Sequence, residues 1–454
     1  MSFWQLDANA SALACIAEDG RRVSYAQLQL AVEKKREALP AKRTLCAIRT
    51  QNTLATLINY LACLQSGHGT ILIEKSAPDA ALLAIEKEYC PNVTLDEDVM
   101  TFSTNCEHNL ASELGLLLTT SGSTGTAKFV CLSFEALKEN ANSICSYLPI
   151  KSTDTVFTTL PFSYSFGLSV INTHLAKRAC IVFNSASVMS PEFWQNVTTY
   201  NCTALYGVPF TFETLRRVGG LAKLPKSIRY LAQAGGYLNK QTKFLFHQYC
   251  ESNNCQFYVM YGQTEATARM AYLPPEKLSQ KSDAIGQAIP GGHLRVIDEG
   301  GMPITSANIT GELVYEGPNI MLGYAESYHD LQFFSRLQAL PTGDLAFFDE
   351  EGDFTLQGRK KRIIKLNGER TNLDEVEAIL GQTLGPIKVI GEDDKIHCFA
   401  EQNCGETSSK TDLTAKHIAT LLKFHPRVIE LTFVDSLPVL SNGKVDYMRL
   451  KALC

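Results

Sequence analysis

The stretch SGSTGTAK at residues 121–128 combines glycine, hydroxyl-bearing residues and one lysine. A glycine-rich loop after a strand can turn several backbone N–H groups inward, and serine and threonine hydroxyls add further donors. With a lysine to supply positive charge, these groups can cradle phosphate oxygens. The candidate phosphate contacts are Ser121, Gly122, Ser123, Thr124, Gly125, Thr126 and Lys128.

Two alternatives compete with a phosphate site in this stretch. A Walker loop needs glycine immediately before the lysine and serine or threonine after it, but Ala127 and Phe129 occupy those positions. A P-loop kinase is therefore disfavoured. A flexible Ser/Gly linker is the second alternative, yet the apolar runs LGLLL and FVCL flank the stretch closely. Buried flanks favour a loop between core strands.

The elements that must position such a loop follow from the wider pattern of the 454-residue chain. Short apolar runs such as GTILIE and CQFYVMYG alternate with amphipathic stretches such as SFEALKENANSICSYL, which predicts an α/β fold with largely parallel sheets. From about Gly286, short strands broken by glycine and proline predict a small antiparallel β unit. The α/β pattern resumes after GRKKR, so we place a boundary between domains 1–359 and 360–454.

Composition excludes several other classes of protein. The net charge is −5, and no basic block suggests a nucleic-acid partner. We expect no signal peptide, because a basic segment followed by an apolar core is missing at the start, and no run approaches the ~18 apolar residues of a membrane span. The 14 cysteines are scattered without a Cys-x-x-Cys pair, which favours reduced cysteines in a cytoplasmic protein. The dispersed histidines indicate no structural metal site.

Five segments, in order along the chain, resemble the motifs of the adenylate-forming superfamily, which contains acyl-CoA synthetases, luciferases and peptide-synthetase adenylation domains. The first is the SGSTGTAK stretch. The others are LPFSYSFGL (160–168), YGQTEAT (261–267), TGDLAFFDEEGDFTLQGRKKRIIKLNGER (342–370) and LPVLSNGKVDYMRL (437–450). The resemblance implies a large N-terminal domain with mixed or parallel sheets, helices and a β-barrel-like unit, followed by a small mobile α/β domain.

The resemblance also implies a two-step reaction. A carboxylate attacks the α-phosphate of ATP to give an acyl-adenylate and pyrophosphate, and a thiol then takes the acyl group. Bringing two anions together calls for positioning and charge neutralisation, and Mg²⁺ on the phosphate oxygens suits that need. The implied cofactors are ATP, Mg²⁺ and CoA, or a phosphopantetheine carrier protein in place of CoA.

Roles for single residues of the N-terminal domain follow from the same resemblance. Thr120 joins the loop that would hold the β- and γ-phosphates. Tyr261, which follows the run CQFYVM, would stack on adenine, and Gly262 beside it would also belong to the nucleotide site. Thr264 would contact the α-phosphate, and Glu265 would hold Mg²⁺. Alternatively, Tyr261 is a core tyrosine. The glycine-rich turn beside the adenine would contain Gly235 and Gly236, and the acyl pocket would be lined partly by Phe162, Tyr164 and Phe166 unless these aromatics are core packing.

The remaining roles fall on the last third of the chain. Asp344 would bind the ribose hydroxyls, although an aspartate after glycine is also common in turns, and Arg359 would assist it. Lys361 would be the hinge, and Lys444 would bridge the attacking carboxylate and the α-phosphate. The loop facing the site during thiol transfer would contain Gly368 and Arg370, unless KLNGER is a simple hairpin turn.

The acyl group and its acceptor stay open. Amino-acid adenylation domains place an aspartate for the substrate ammonium after the phosphate loop, but residues 160–170 contain no acidic residue. Because a buried ammonium without a partner is costly, we predict a small carboxylic acid without an α-amino group. The alternatives are an enzyme that loads a carrier protein, including an amino-acid adenylation enzyme, and a non-catalytic relative that binds ligand.

Overall fold

A computed structural model describes residues 2–7, 10–104, 107–119, 128–366, 369–402, 413–440 and 442–454, with backbone alone at residues 369, 370 and 382. Backbone packing divides the chain into two compact units. The first is Met1–Leu294 with Tyr315–Leu340, and the second is Arg295–Val314 with Pro341–Cys454. These units do not test the predicted boundary at residue 360, which stays a prediction.

Helices and strands alternate along most of the chain. The α-helices of the described residues are α1 (Tyr25–Ala38), α2 (Leu54–Gln65), α3 (Asp79–Tyr89), α4 (Phe134–Tyr147), α5 (Ser165–Ala176), α6 (Pro191–Thr199), α7 (Pro209–Arg217), α8 (Lys240–Ser252), α9 (Leu373–Thr383), α10 (Ala415–Leu422) and α11 (Tyr447–Lys451). The strands β1 to β15 are β1 (Leu13–Ile16), β2 (Arg22–Ser24), β3 (Leu45–Thr50), β4 (Gly69–Glu74), β5 (Val93–Asp96), β6 (Val99–Phe102), β7 (Leu114–Thr119), β8 (Phe129–Ser133), β9 (Thr155–Phe157), β10 (Cys180–Val182), β11 (Ala204–Gly207), β12 (Tyr230–Gln233), β13 (Gln256–Tyr261), β14 (Ala271–Leu273) and β15 (Ala284–Ala288). The remaining strands are β16 (His293–Ile297), β17 (Pro303–Ile304), β18 (Gly311–Glu316), β19 (Gly323–Ala325), β20 (Leu340–Phe348), β21 (Phe354–Arg359), β22 (Ile363–Leu366), β23 (Glu369–Asn372), β24 (Ile387–Glu392), β25 (Lys395–Glu401) and β26 (Ile429–Val434).

The first unit is built on two sheets. One runs β15-β14-β13-β12-β11-β9-β10-β1-β2, and the other runs β19-β8-β7-β4-β3-β5-β6. The pairs from β13 to β1 are parallel, so connecting helices must cross over the sheet faces. This requirement explains the alternation of apolar runs and amphipathic helices, and the predicted mixed α/β fold class is confirmed.

Local sequence signals set where the helices begin. Thr53 caps α2, Ser133 caps α4 and Asn239 caps α8, each through a side-chain oxygen that accepts a backbone N–H from three residues on. Such caps satisfy donors that the first turn of a helix leaves unpaired. An aromatic core against the first sheet includes Phe212 of α7, Phe246 of α8 and Phe257 of β13.

The second unit is richer in antiparallel strands. Its sheet neighbours are β17-β16-β18-β20-β21, and β20 pairs antiparallel with β21, as the glycine-broken pattern predicts. A hairpin of β22 and β23 and a three-stranded sheet of β24, β25 and β26 follow. α9 and α10 cover a core that includes Leu380, Val389 and Cys398. Of the helices described, none is both long and apolar enough for a membrane span.

Candidate active site

The predicted phosphate stretch joins two buried strands of one sheet. β7 and β8 pair antiparallel, with Thr119 opposite Phe129 and Leu118 opposite Val130. The side chains of Leu118, Phe129 and Val130 are fully buried, as the apolar flanks predict. The predicted contacts themselves lie outside the described residues, apart from Lys128: Thr120, Ser121, Gly122, Ser123, Thr124, Gly125 and Thr126.

Lys128 directly precedes β8. Strand β19 pairs with β8 on the edge opposite β7. The Nζ atom of Lys128 is 4.1 Å from the centre of the Tyr324 ring and 3.9 Å from a carboxylate oxygen of Glu326. A cation over an aromatic face is held electrostatically. The lysine of the predicted phosphate stretch is therefore positioned by a strand nearly 200 residues further along the chain.

The Tyr-Gly-x-Thr-Glu segment begins where β13 ends. Tyr261 is its last residue, and residues Thr264–Ala266 form a 3₁₀ turn. Gly262 permits this path, because a Cβ there would lie 1.8 Å from the Ala268 carbonyl oxygen. The hydroxyls of Thr264 and Ser165 lie 3.1 Å apart in a hydrogen bond, which connects the motif to the start of α5.

Glu265 is oriented by Tyr324. The Tyr324 hydroxyl donates to Glu265 Oε1 at 2.9 Å, and the Met321 N–H donates to the Glu265 carbonyl oxygen at 2.8 Å. Burial raises the pKa of Tyr324, and the Glu265 carboxylate raises it further, so the phenol stays protonated and donates. One residue, Tyr324, thus contacts both Glu265 and Lys128. Sequence reasoning missed Tyr324, because its only local signal is the short apolar–glycine run MLGY.

The glycine turn predicted beside adenine follows β12. Gly235 has φ +87°, and a Cβ there would lie 2.6 Å from the Tyr164 hydroxyl. The Gln233 side chain donates to the Gly236 carbonyl oxygen at 2.9 Å. Because β12 and β13 are parallel neighbours, the turn after β12 and Tyr261 at the end of β13 lie at the same edge of the sheet. Ligands of open α/β sheets bind at that edge.

The three aromatics predicted to line the acyl pocket have different surroundings. Phe162 is fully buried, and its ring packs edge-on against Tyr60 at 5.5 Å. Tyr164 contacts Phe166 at 6.2 Å between ring centres, and burial raises the pKa of Tyr164 to about 12 against the opposing effect of the Arg269 cation. Phe166 faces the guanidinium of Arg269 at 4.4 Å. Tyr164 and Phe166 thus share a cluster with an arginine that sequence reasoning missed.

In the second unit, Asp344 and Arg359 form a cross-strand pair on β20 and β21. Arg359 Nε lies 3.2 Å from Asp344 Oδ1. The backbone N–H of Asp344 donates to the Thr342 hydroxyl at 3.1 Å, and that hydroxyl donates to the Leu313 carbonyl oxygen. The pair that the resemblance assigns to the ribose is therefore assembled by strand register, although the two residues are 15 positions apart.

Lys361 lies between two anchored neighbours. Lys360 Nζ is 2.9 Å from Glu312 on β18. Arg362 contacts Asp374 at 2.5 Å and Glu377 at 2.7 Å, both on α9. Lys361 itself is exposed and sits in a short 3₁₀ turn. The predicted hinge residue thus separates an anchor to a strand from an anchor to a helix.

Lys444 occupies a tight turn near the end of the chain. The Leu440 N–H donates to the Lys444 carbonyl oxygen at 2.7 Å, and the Lys444 N–H donates to Asn442 Oδ1 at 3.0 Å. Gly443 supplies the positive φ of +77° that the turn requires. Of the other loop predicted to face the site, Gly368 and the side chain of Arg370 lie outside the described residues.

Comparisons with known proteins agree with these observations. The sequence profile of the AMP-binding enzyme family matches residues 103–325. The L-proline–[L-prolyl-carrier protein] ligase of Streptomyces coelicolor is 27% identical over 355 residues, which cover 74% of this chain and 66% of that protein. The oxalate–CoA ligase of Arabidopsis thaliana is 26% identical over 366 residues, which cover 77% of this chain and 70% of that protein. The aligned part of this chain thus spans about two thirds of the length of these relatives.

Solved structures have the same fold. The o-succinylbenzoate CoA synthetase from Bacillus subtilis, in complex with its acyl-adenylate intermediate, has a TM-score of 0.80 at 20% identity and covers 99% of this chain and 98% of its own. ATP-bound MatB from Rhodopseudomonas palustris has a TM-score of 0.80 at 20% identity and covers 100% of this chain and 99% of its own. The order of the motifs and these comparisons confirm the predicted resemblance: this chain belongs to the AMP-binding enzymes of the adenylate-forming superfamily.

Proposed function

We propose that this protein activates a small carboxylic acid with ATP, releases pyrophosphate, and transfers the acyl group from the adenylate to the thiol of CoA. The observation that carries the proposal is the link from Lys128 through Tyr324 to Glu265, with Thr264 beside it. This link connects the lysine of the predicted phosphate stretch to the two motif residues expected at the α-phosphate and the metal. A phosphate-binding module without chemistry has no need of that connection.

In this proposal each residue neutralises or orients charge. Lys128 and the predicted loop hold the β- and γ-phosphates, Thr264 contacts the α-phosphate, and Lys444 brings the attacking carboxylate to it. Asp344 accepts hydrogen bonds from the ribose hydroxyls, because a carboxylate can accept several hydrogen bonds. Arg359 holds Asp344 in place at 3.2 Å.

Glu265 fits a role as Mg²⁺ ligand. Its Oε1 is oriented by Tyr324, and a carboxylate oxygen is a donor that Mg²⁺ prefers. Within the described part of the chain no group of three or more His, Cys, Asp and Glu side chains could hold a metal ion. A single carboxylate is nevertheless sufficient, since Mg²⁺ in nucleotide sites takes most of its ligands from phosphates and water.

The acceptor and the location are further parts of the proposal. CoA and a carrier protein present the same phosphopantetheine thiol, and the relatives above include both a CoA ligase and a carrier-protein ligase by name. We favour CoA, with carrier loading as the alternative. A cytoplasmic location is supported by the cysteines of the described ranges, none of which forms a disulfide there, because such cysteines suit a reducing compartment.

Pyrophosphate exchange tests the first step. Wild-type protein, ATP, Mg²⁺ and labelled pyrophosphate are incubated with a panel of short aliphatic, aryl, hydroxy, dicarboxylic and amino acids. We expect exchange with at least one acid that lacks an α-amino group. Loaded thiol is then trapped with CoA and, separately, with a phosphopantetheine carrier. Exchange with no acid contradicts the ligase, strong preference for free amino acids contradicts the substrate class, and loading of carrier alone contradicts CoA.

A further inference from the structure

Arg269 is a buried cation whose guanidinium has no hydrogen-bond partner among the described residues. The side chain is 1% exposed, and Nε and both terminal nitrogens are unpartnered there. An arginine carries five N–H donors and stays charged at any ordinary pH. Burying such a group without acceptors is strongly unfavourable, because the charge loses its hydration. The position therefore needs a compensating interaction.

Aromatic rings provide part of that compensation. The guanidinium carbon lies 4.4 Å from the centre of the Phe166 ring and 6.0 Å from that of Tyr206. Such contacts recover only part of the free energy that burying the guanidinium costs. Neighbouring phenols do not supply a negative charge, because burial raises the pKa of Tyr206 and Tyr164.

Three partly buried arginines among the described residues are paired. Arg43 donates to the carbonyl oxygens of Ala111, Ser112 and Leu114. Arg229 donates to the Pro149 carbonyl oxygen and lies 3.3 Å from Asp154. Arg362 contacts two carboxylates. Arg269 differs from all of them, so its state is a property of this site.

The backbone at Arg269 is held in place. Its carbonyl oxygen accepts hydrogen bonds from the side chains of Asn140 and Asn319, each at 3.1 Å. Gly262 lets the segment approach closely, because a Cβ there would lie 2.8 Å from the Arg269 Cα. The segment that follows the Tyr-Gly-x-Thr-Glu motif therefore holds Arg269 beside Tyr164 and Phe166.

We propose that Arg269 binds a second carboxylate on the acyl substrate, and that the substrate is therefore a short dicarboxylic acid. This inference rests on the proposed ligase function. A carboxylate matches the guanidinium with two parallel hydrogen bonds. The spacing is short: Ser165 contacts Thr264, the residue proposed at the α-phosphate, and the next residue, Phe166, contacts Arg269. A ligand that reaches from one contact to the other needs few carbon atoms between its two carboxylates.

The test compares acids that differ in one charge. Exchange rates are measured for α,ω-diacids of three to six carbons, for their monoamides, and for monoacids of equal length. We expect the wild-type kcat/KM to favour one diacid over its monoamide and monoacid by roughly 100-fold or more, since a site built for a polar group rejects analogues that lack it. Arg269→Met should remove that preference, and Arg269→Lys should restore part of it.

A stability measurement separates recognition from a structural role. Arg269→Met removes an unpaired buried charge, so we expect its Tm at or above that of the wild type, whereas Arg229→Met should lower Tm because it leaves Asp154 buried without its partner. The preferred diacid should raise the Tm of the wild type and leave that of Arg269→Met unchanged. Equal slowing with every acid together with a lower Tm would mean that Arg269 is structural and would overturn the inference.

The outcomes also separate this inference from the function on which it rests. Exchange with monoacids or monoamides in preference to every diacid would overturn the dicarboxylate inference and leave the ligase intact. No exchange with any acid would overturn both.

Discussion

Glu265 shows how a single side chain acquires a defined role from a distant residue. The hydroxyl that orients it belongs to Tyr324, 59 positions later in the chain. A carboxylate that is held by a hydrogen bond presents its remaining lone pairs in one direction, and such outer partners tune metal affinity. The identity of Tyr324 therefore matters for the proposed Mg²⁺ site, although Tyr324 itself is not expected to touch the metal.

Tyr324→Phe removes this hydrogen bond and keeps the ring under Lys128. We expect the Mg²⁺ concentration for half-maximal pyrophosphate exchange to rise by about tenfold, with little change at saturating Mg²⁺. Tyr328→Phe is the control, because the contacts of that tyrosine are ring contacts with His108 and His329. An unchanged Mg²⁺ requirement in Tyr324→Phe would mean that Glu265 does not hold the metal.

Lys444→Ala removes the charge proposed to guide the attacking carboxylate. Adenylate formation should fall by roughly two to three orders of magnitude, the scale of losing one aimed donor. Thioester formation from preformed acyl-adenylate should be far less affected, and exposed Lys451→Ala should behave as wild type in both assays. Equal losses in the two half-reactions would contradict the proposed role.

At the scale of elements, the carboxyl ends of parallel strands carry the proposed nucleotide side of the site. β12 and β13 end at Gln233 and Tyr261. Within two residues of each strand end lies a glycine, Gly235 or Gly262, whose lack of a Cβ allows a close approach. The geometry of these turns thus controls the space beside the predicted adenine position.

Gly235→Ala tests that control. Both Gly235 and Gly219 have left-handed backbone, with φ of +87° and +64°, but only a Cβ at Gly235 meets another heavy atom within 4 Å. Each alanine variant should lose on the order of 1 kcal/mol of unfolding free energy. Gly235→Ala should in addition lower kcat/KM for ATP by about 10- to 100-fold, because small misplacements are costly in catalysis. Equal kinetics in the two variants would argue against a nucleotide site at this turn.

The segment around Lys361 supports a hinge between two anchored pieces. Proline fixes φ near −65°, so Lys361→Pro should restrict rotation there. We expect pyrophosphate release to continue while thioester formation falls sharply, as measured by single-turnover assays of each half-reaction. Lys360→Ala, which loses an exposed contact with Glu312, serves as the control. Normal overall turnover in Lys361→Pro would rule out a rotation about this residue.

At the scale of the whole molecule, a buried histidine links stability to pH. Burial lowers the pKa of His174 to about 4, although its hydrogen bond to the Val170 carbonyl opposes this effect and the Arg269 cation adds to it. In the unfolded chain the His174 ring takes up a proton near pH 6.5, whereas in the folded protein the ring stays neutral down to about pH 4. Native stability must therefore fall as pH drops through that window.

We expect His174 to account for up to about 3 kcal/mol of lost unfolding free energy between pH 6.5 and 4. Urea unfolding of wild type and His174→Gln across this range measures the difference, with exposed His293→Gln as the control. The wild type and the His293 variant should lose stability together, and the His174 variant should lose less. Parallel curves for all three proteins would show that His174 is not buried as a neutral ring.

Local patterns in the sequence determined the α/β class, the main strands and helices, and the superfamily. Apolar runs of strand length must be buried, and capping residues such as Ser133 begin helices wherever they precede an amphipathic stretch. The motif residues were predictable for the same reason, because Tyr261 to Glu265 and Asp344 belong to short contiguous segments. Their roles come from the resemblance, since a short segment does not reveal what it binds.

Tertiary structure alone decided which residues meet. Tyr324 with Glu265, Asp344 with Arg359, and Ser165 with Thr264 are brought together by strand pairing and turns, which single-chain periodicity cannot specify. Arg269 is the sharpest case. In the sequence it is one charge in ATARMAYL and would ordinarily be assigned to solvent, because isolated arginines are mostly exposed. The fold instead buries it beside Phe166 and Tyr206, because packing against neighbouring elements, and not local preference, sets the burial of a side chain.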